Sequence, residues 1–175
     1  MPRPRSDIQD RILLAAHTRF LAEGVEAASL RQIAKDAETS IGMVYYYYTT
    51  KDDLFLAVVE EIYQKFLEDL ESIWASRHSF QERLCSFYAR IGAMSKAEFE
   101  VLQLIIRESL TSHDRRKQLK QRFLRGHLPL LMRAILEAIS NGEIERSLHP
   151  MVAMACTLGF TGASAMLMQV SRKMS

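Results

Sequence analysis

An all-α fold is predicted by three features of this 175-residue chain. Apolar residues recur at steps of three and four along its length, sustained alternation of apolar and polar residues occurs nowhere, and the helical runs end in capping residues or glycines. The expected architecture is an N-terminal head of three helices, a long fourth helix, and a C-terminal helical bundle.

Ile8, Ile12, Ala16 and Phe20 step by four with Leu13 alongside, which predicts an amphipathic helix over about 7–23, closed by Gly24. Ser29-x-x-Gln32 has the form of a capping box, in which the serine hydroxyl accepts the amide three residues on and the glutamine reaches back. A short helix begins there with Leu30, Ile33, Ala34 and Ala37 on its inner face. Glu38-Thr39 makes a turn, and Ser40 caps a third helix. A short helix, a tight turn and a second short helix form a helix-turn-helix, which places its second helix in the major groove of DNA.

The third helix carries Tyr45, Tyr46, Tyr47 and Tyr48, four of the six tyrosines of the chain. The 100° helical step puts Val44 and Tyr48 toward the first two helices and turns Tyr45, Tyr46 and Tyr47 outward. Outward hydroxyls can donate to phosphates, and outward rings can lie on thymine methyls or sugars. Gly42 points the same way, because glycine in an exposed helix costs ~1 kcal/mol relative to alanine unless something must approach the backbone. Lys51 could neutralise a phosphate, and the amides near Ser29 and Ser40 form anion sites at the helix starts. The competing reading is that an aromatic run at helical spacing is simply core.

Composition limits the other classes. A content of 48% apolar and 25% charged residues is ordinary for a globular chain, and the net charge of +2 says little about partners. Residues 1–53 hold seven Lys/Arg against eight Asp/Glu, so a DNA-binding case must rest on particular residues rather than bulk charge. Cys85 and Cys156 lie far apart and Met1 to Arg11 has no apolar core, which fits a reducing cytoplasm. Met151 to Val170 runs uncharged for 20 residues, yet polar interruptions and the small residues Ala155, Gly159 and Ala163 favour a helix packed closely on another helix over a membrane span. The five histidines lack metal-ligand spacing, so no metal is expected. No cofactor is implied. The absence of nucleophile, phosphate-loop and dinucleotide motifs argues against an enzyme.

Residues 8–58 carry Ile12, Ala15-Ala16, Phe20, Gly24, Ser29 to Ala34, Ala37, Ser40, Gly42, Val44-Tyr-Tyr46, Lys51-Asp, Leu54 and Ala57-Val58. In these residues and their spacing the chain resembles the tetracycline-repressor (TetR) family of transcriptional regulators. The resemblance implies a homodimer with a DNA-reading head over 1–51 and an effector-binding and dimerisation body over 52–175. By matching positions Ser29, Ser40, Tyr45, Tyr46, Tyr47 and Lys51 would hold phosphates, Ile41, Gly42 and Met43 would face bases, and Arg31 joins the DNA contacts. Two heads would enter successive major grooves of an inverted repeat and block transcription, and an effector would tilt the fourth helix and release them. An alternative keeps the same head but replaces the effector by a protein partner, or lacks a regulator.

The chain departs from the family pattern in three places. Glu38-Thr39 stands where the family usually has Gly-Val, so a left-handed residue 38 would carry strain. Tyr47-Tyr48 replaces His-Phe, adding a hydroxyl that needs a partner near the core. Family members generally run longer and carry one further helix of a four-helix dimer interface, so the resemblance implies either a reduced dimer surface or a sequence without its natural end.

The body is expected to contain a fourth helix from Lys51 to about Trp74 with Leu54, Val58, Ile62, Phe66, Leu70 and Trp74 at four-residue steps. Helices follow over about 80–94, 97–111, 114–140 kinked by Pro129, and 150–172, with Asn141-Gly142 closing the long one and His149-Pro150 opening the last. Bundles build ligand cavities between facing helices, so Phe87, Ile91, Met94 and Phe99 are candidate effector linings, as are Leu102, Phe123, Met132 and Phe160. For any one of them, core is the simpler reading. Nine methionines favour an apolar or aromatic small-molecule effector over a phosphorylated one. The dimer interface is expected at Ala155, Gly159, Gly162, Ala163 and Met166. The basic run from His113 to His127 is expected to be a solvated helix face.

Overall fold

A computed structural model describes residues 7–125 and 127–159, without the side chains of 122–125 and 127. Among these residues the regular elements are all helices: α1 Asp7–Glu23, α2 Leu30–Asp36, α3 Ile41–Tyr47, α4 Lys51–Ala75, α5 Phe80–Gly92, α6 Lys96–Thr111, α7 His113–Arg125 and α8 His127–Ser140, followed by helical residues 150–159. The chain divides into two compact units, one of residues 1–64 and 100–119, the other of 65–99 and 120–175. None of the described helices is long and apolar enough to cross a membrane, and the uncharged stretch 151–170 lies mostly outside the described residues.

In the first unit α1 has its expected limits, and Gly24, at φ +84°, donates its amide to the Phe20 carbonyl at 3.0 Å. Positive φ is the reason for glycine at this helix end. Ile12, Ala16 and Phe20 are buried, as are Ile33 and Ala34 of α2, Val44 of α3, and Leu54, Phe55 and Val58 of α4, and the Phe20 ring meets Phe55 edge to face. Two local expectations fare differently. Ser40 caps α3, its hydroxyl accepting the Met43 amide at 3.3 Å. Ser29 takes the N-cap position of α2 but makes no side-chain cap bond, so the reciprocal pair with Gln32 does not form.

Glu38 has φ +50°, and among the described residues no other non-glycine has a positive φ. Its amide donates to Lys35 and the Thr39 amide to Ala34, so it fills the left-handed position at which helices commonly end in glycine. The exposed pair Arg11–Glu38, at 3.7 Å, offsets little of that strain. Glu38→Gly is therefore expected to stabilise the chain by about 1 kcal/mol. A denaturant midpoint unchanged or lowered in this variant would contradict that.

In the second unit Leu70, Trp74, Phe80, Phe87, Ile91, Leu131 and Ile135 are buried. The Trp74 ring stacks on Phe80 at 6.2 Å and meets Phe87 at 5.4 Å. Ser79 and Glu82 form a complete capping box at the start of α5, and the bonds from Ser79 hold the Glu82 carboxyl below its usual range. Arg83 is buried and donates to the Trp74 carbonyl at 3.3 Å and to Glu137 at 2.9 Å. Gly142, at φ +77°, closes α8, and the His149 ring accepts the Met151 amide at 3.2 Å where the next helix begins.

Helix is described up to Arg125 and again from His127, and residue 126, on which the reading of 114–140 as one helix kinked at Pro129 depends, lies outside the described residues.

Candidate nucleic-acid interface

Three helices of the first unit converge so that α3 is held from one side and open on the other. Val44 and Tyr48 face inward, with Tyr48 only 7% exposed. The Tyr48 hydroxyl accepts a hydrogen bond from Gln9 Nε2 at 3.3 Å, which supplies the partner that a phenol near the core requires. Tyr45 and Tyr46 are 55% and 67% exposed. Tyr47 is half-buried, its ring edge-on to Tyr46 at 5.1 Å. Ile41 and Met43 are half-buried, and Gly42, Ser40, Ser29 and Arg31 are exposed.

A Cβ built on Gly42 would have one neighbour within 4 Å, the Ser40 hydroxyl at 3.7 Å, an ordinary contact. Packing within the chain therefore does not require glycine there. Gly42→Ala is expected to stabilise α3 by about 0.5–1 kcal/mol. If a duplex approaches the backbone at this point, the same variant should bind DNA more weakly, and equal or tighter binding would remove that role from Gly42.

α3 leads directly into α4 through a reciprocal cap: the Thr50 amide donates to Asp53 at 2.9 Å and the Asp53 amide to the Thr50 hydroxyl at 3.0 Å. The Thr-x-x-Asp spacing signals this cap in the sequence. Lys51 is less free than its position suggests, since its ammonium donates to the carbonyls of Glu26 and, at 3.3 Å, Ala28 in the loop between α1 and α2. At the rear of the head Arg19 bridges Asp36 at 2.6 Å and Glu23 at 2.7 Å, and the Arg19 bond holds the Asp36 carboxyl below its usual range.

Sequence reasoning missed an ionic cluster in the same unit. Arg115, expected on a solvated face, is 7% exposed, and Glu108 on α6 is 2% exposed. Arg115 Nε lies 2.9 Å from Glu108, and Arg115 Nη1 lies 3.1 Å from Asp52 and 3.5 Å from Glu26. Burial alone disfavours the Arg115 cation, but the Asp52 hydrogen bond and the three carboxylates outweigh it and keep the guanidinium charged. No local spacing announces such partners. His17 on α1 is pushed below its ordinary pKa by burial, against the pull of Glu100 at 4.0 Å.

Of the candidate effector linings, Phe87, Ile91 and Met94 are buried in the second unit, Phe99 and Met132 are half-buried there, and Leu102 belongs to the first unit. Phe87 packs on Trp74 and Tyr88 as part of the core. The Phe123 side chain and Phe160 lie outside the described residues, as do Gly162, Ala163 and Met166 of the expected dimer interface. Ala155 and Gly159 are exposed, on a helix that also exposes Met151 and Val152.

Residues 12–58, which span α1 through the first turns of α4, match the family described as bacterial regulatory proteins, tetR family. That segment is a tetR-family domain. Among tetR-type relatives, the fatty acid metabolism regulator protein of Bacillus subtilis is 24% identical over 151 residues, 84% of this chain and 76% of that protein. The HTH-type transcriptional repressor NicS of Pseudomonas putida is 30% identical over 132 residues, 74% of this chain and 62% of that repressor. The fold is also that of the fatty acid degradation regulator FadR from Bacillus halodurans, with a TM-score of 0.77 at 20% identity over 98% of this chain and 89% of the other. FadR from Bacillus subtilis in complex with stearoyl-CoA gives 0.72 at 21% identity, over 94% and 89%. The tetR match covers the head, where Tyr45 and Tyr46 are exposed.

Proposed function

We propose that this chain is a sequence-specific DNA-binding transcriptional regulator of the cytoplasm, a repressor released by a small, mostly apolar effector, with no enzymatic activity of its own. The carrying observation is that Val44 and Tyr48 already close the inner face of α3, leaving Tyr45 and Tyr46 exposed with no intramolecular need. Phenol rings with a free hydroxyl suit a sugar-phosphate surface. In this reading residues 1–51 form the DNA-binding domain, and Ser29, Arg31, Ser40 and Tyr45 to Tyr47 grip the backbone while Ile41, Gly42 and Met43 meet base edges. Lys51 contributes by fixing the loop before α2 as much as by its charge.

Residues 52–175 would supply dimerisation and effector binding. Two heads related by a twofold axis would read an inverted repeat whose half-sites lie about 34–36 Å apart. The apolar character of the effector is supported by the aromatic core of the second unit and by a similar fold bound to triclosan, whereas the stearoyl-CoA held by another similar fold joins an apolar chain to a phosphorylated coenzyme A. Such a ligand acts only through its preference for the conformer that does not bind DNA.

The test is selection of duplexes from random and genomic DNA by the full chain, followed by a screen for compounds that release them. The expected product is a palindromic site with half-sites separated by one helical turn or a multiple. Recovery of no preferred sequence would reject the reading.

A further inference from the structure

We propose that Arg107, Glu108 and Arg115 are positioning residues for DNA reading, a clamp from α6 and α7 that seats the α2–α3 pair by gripping the chain on either side of it; the inference rests on the DNA-binding reading above. All the groups involved lie in the first unit. Glu108 Oε1 accepts the backbone N–H of Val25 at 3.2 Å. Arg107 donates to the carbonyls of Phe20 and, at 3.0 Å, Leu21, which close the last turn of α1. Gly24 passes so near that a Cβ there would lie 3.7 Å from Glu108 Oε1. Arg115 bonds Asp52 at the start of α4 and reaches Glu26 in the loop before α2. The segments entering α2 and leaving α3 are thus tied to one guanidinium.

Stability alone does not account for this choice of residues. Buried ion pairs lose hydration, and well-packed apolar replacements are often as stable or more so. What ions and directed hydrogen bonds add is geometry, and here the α6 bonds end on backbone atoms at the close of α1 and in the loop after it. Lys51 holds the other flank of that loop through the Glu26 and Ala28 carbonyls. Reading base edges depends on where α3 sits to within a fraction of a hydrogen-bond length, whereas loose attraction to phosphates does not. The clamp should therefore govern the ratio of operator to mixed-sequence affinity.

The experiment replaces the cluster by apolar side chains in the full chain, Arg107→Met with Glu108→Leu and Arg115→Met, beside the single variants Glu108→Gln and Arg107→Met. Affinity is measured for a duplex selected by the wild type and for mixed-sequence DNA across a salt series, together with the urea midpoint. The triple variant is expected to keep its midpoint, its mixed-sequence affinity and its salt slope, while operator affinity falls about tenfold or more. The single variants are expected to lose part of the same ratio, and they carry the test should the triple variant not fold. Folded variants with operator affinity within twofold of wild type would overturn the clamp. A wild type that selects no duplex would overturn the DNA-binding reading itself and this inference with it, an outcome visible before any variant is made.

Discussion

Tyr45→Ala combined with Tyr46→Ala is expected to lower operator affinity by at least about a hundredfold while leaving the fold intact. A hydrogen bond from a neutral donor to a charged group is worth about 1.5 kcal/mol or more net, so two lost phosphate contacts amount to roughly 3 kcal/mol per head. At 1.4 kcal/mol per decade that is about two orders of magnitude, and a dimer carries the change twice. Stability should move by less than about 0.5 kcal/mol per site, because both rings are more than half exposed. The salt dependence should stay the same, since a phenol neutralises no phosphate and releases no counterion. Anisotropy titrations at several salt concentrations read all three quantities. Unchanged affinity for a selected operator would remove the rings from the interface, and a loss confined to the operator, with mixed-sequence DNA unaffected, would move them from the phosphates to the bases.

The second large effect concerns the core beneath those rings. Phe20 and Phe55 are fully buried and meet edge to face at 6.3 Å. Phe20→Ala should cost about 3–5 kcal/mol, the sum of lost transfer energy and the cavity left behind. That is a large part of the total stability of a domain, commonly about 5–15 kcal/mol. Phe20 also stands at the end of α1 whose carbonyl accepts both the Gly24 amide and Arg107, so its displacement loosens the entry to α2 as well. Urea unfolding followed by circular dichroism measures the cost, and a shift under about 1 kcal/mol would mean that the head tolerates an empty site at its centre.

Where a residue's environment is decided by its near neighbours, the pattern of residues was legible. The limits of α1, the Ser40 cap and the inward turn of Val44 and Tyr48 all follow from spacing within one or two helical turns. One cap read from spacing failed: Ser29-x-x-Gln32 has the form of a capping box, yet the bond does not form.

From the chain alone came the helical class, the head with its turn, and the outward display of Tyr45 and Tyr46, because these depend on the period of the helix and on caps only a few residues long. The burial of Arg115, the seat of Glu108 on the Val25 amide 83 residues away, and the attachment of Lys51 to the carbonyls before α2 were decided only when distant segments packed together. A charged side chain reads as solvated until its partner is known, and the partner of a buried charge is chosen by tertiary contact rather than by anything written beside it.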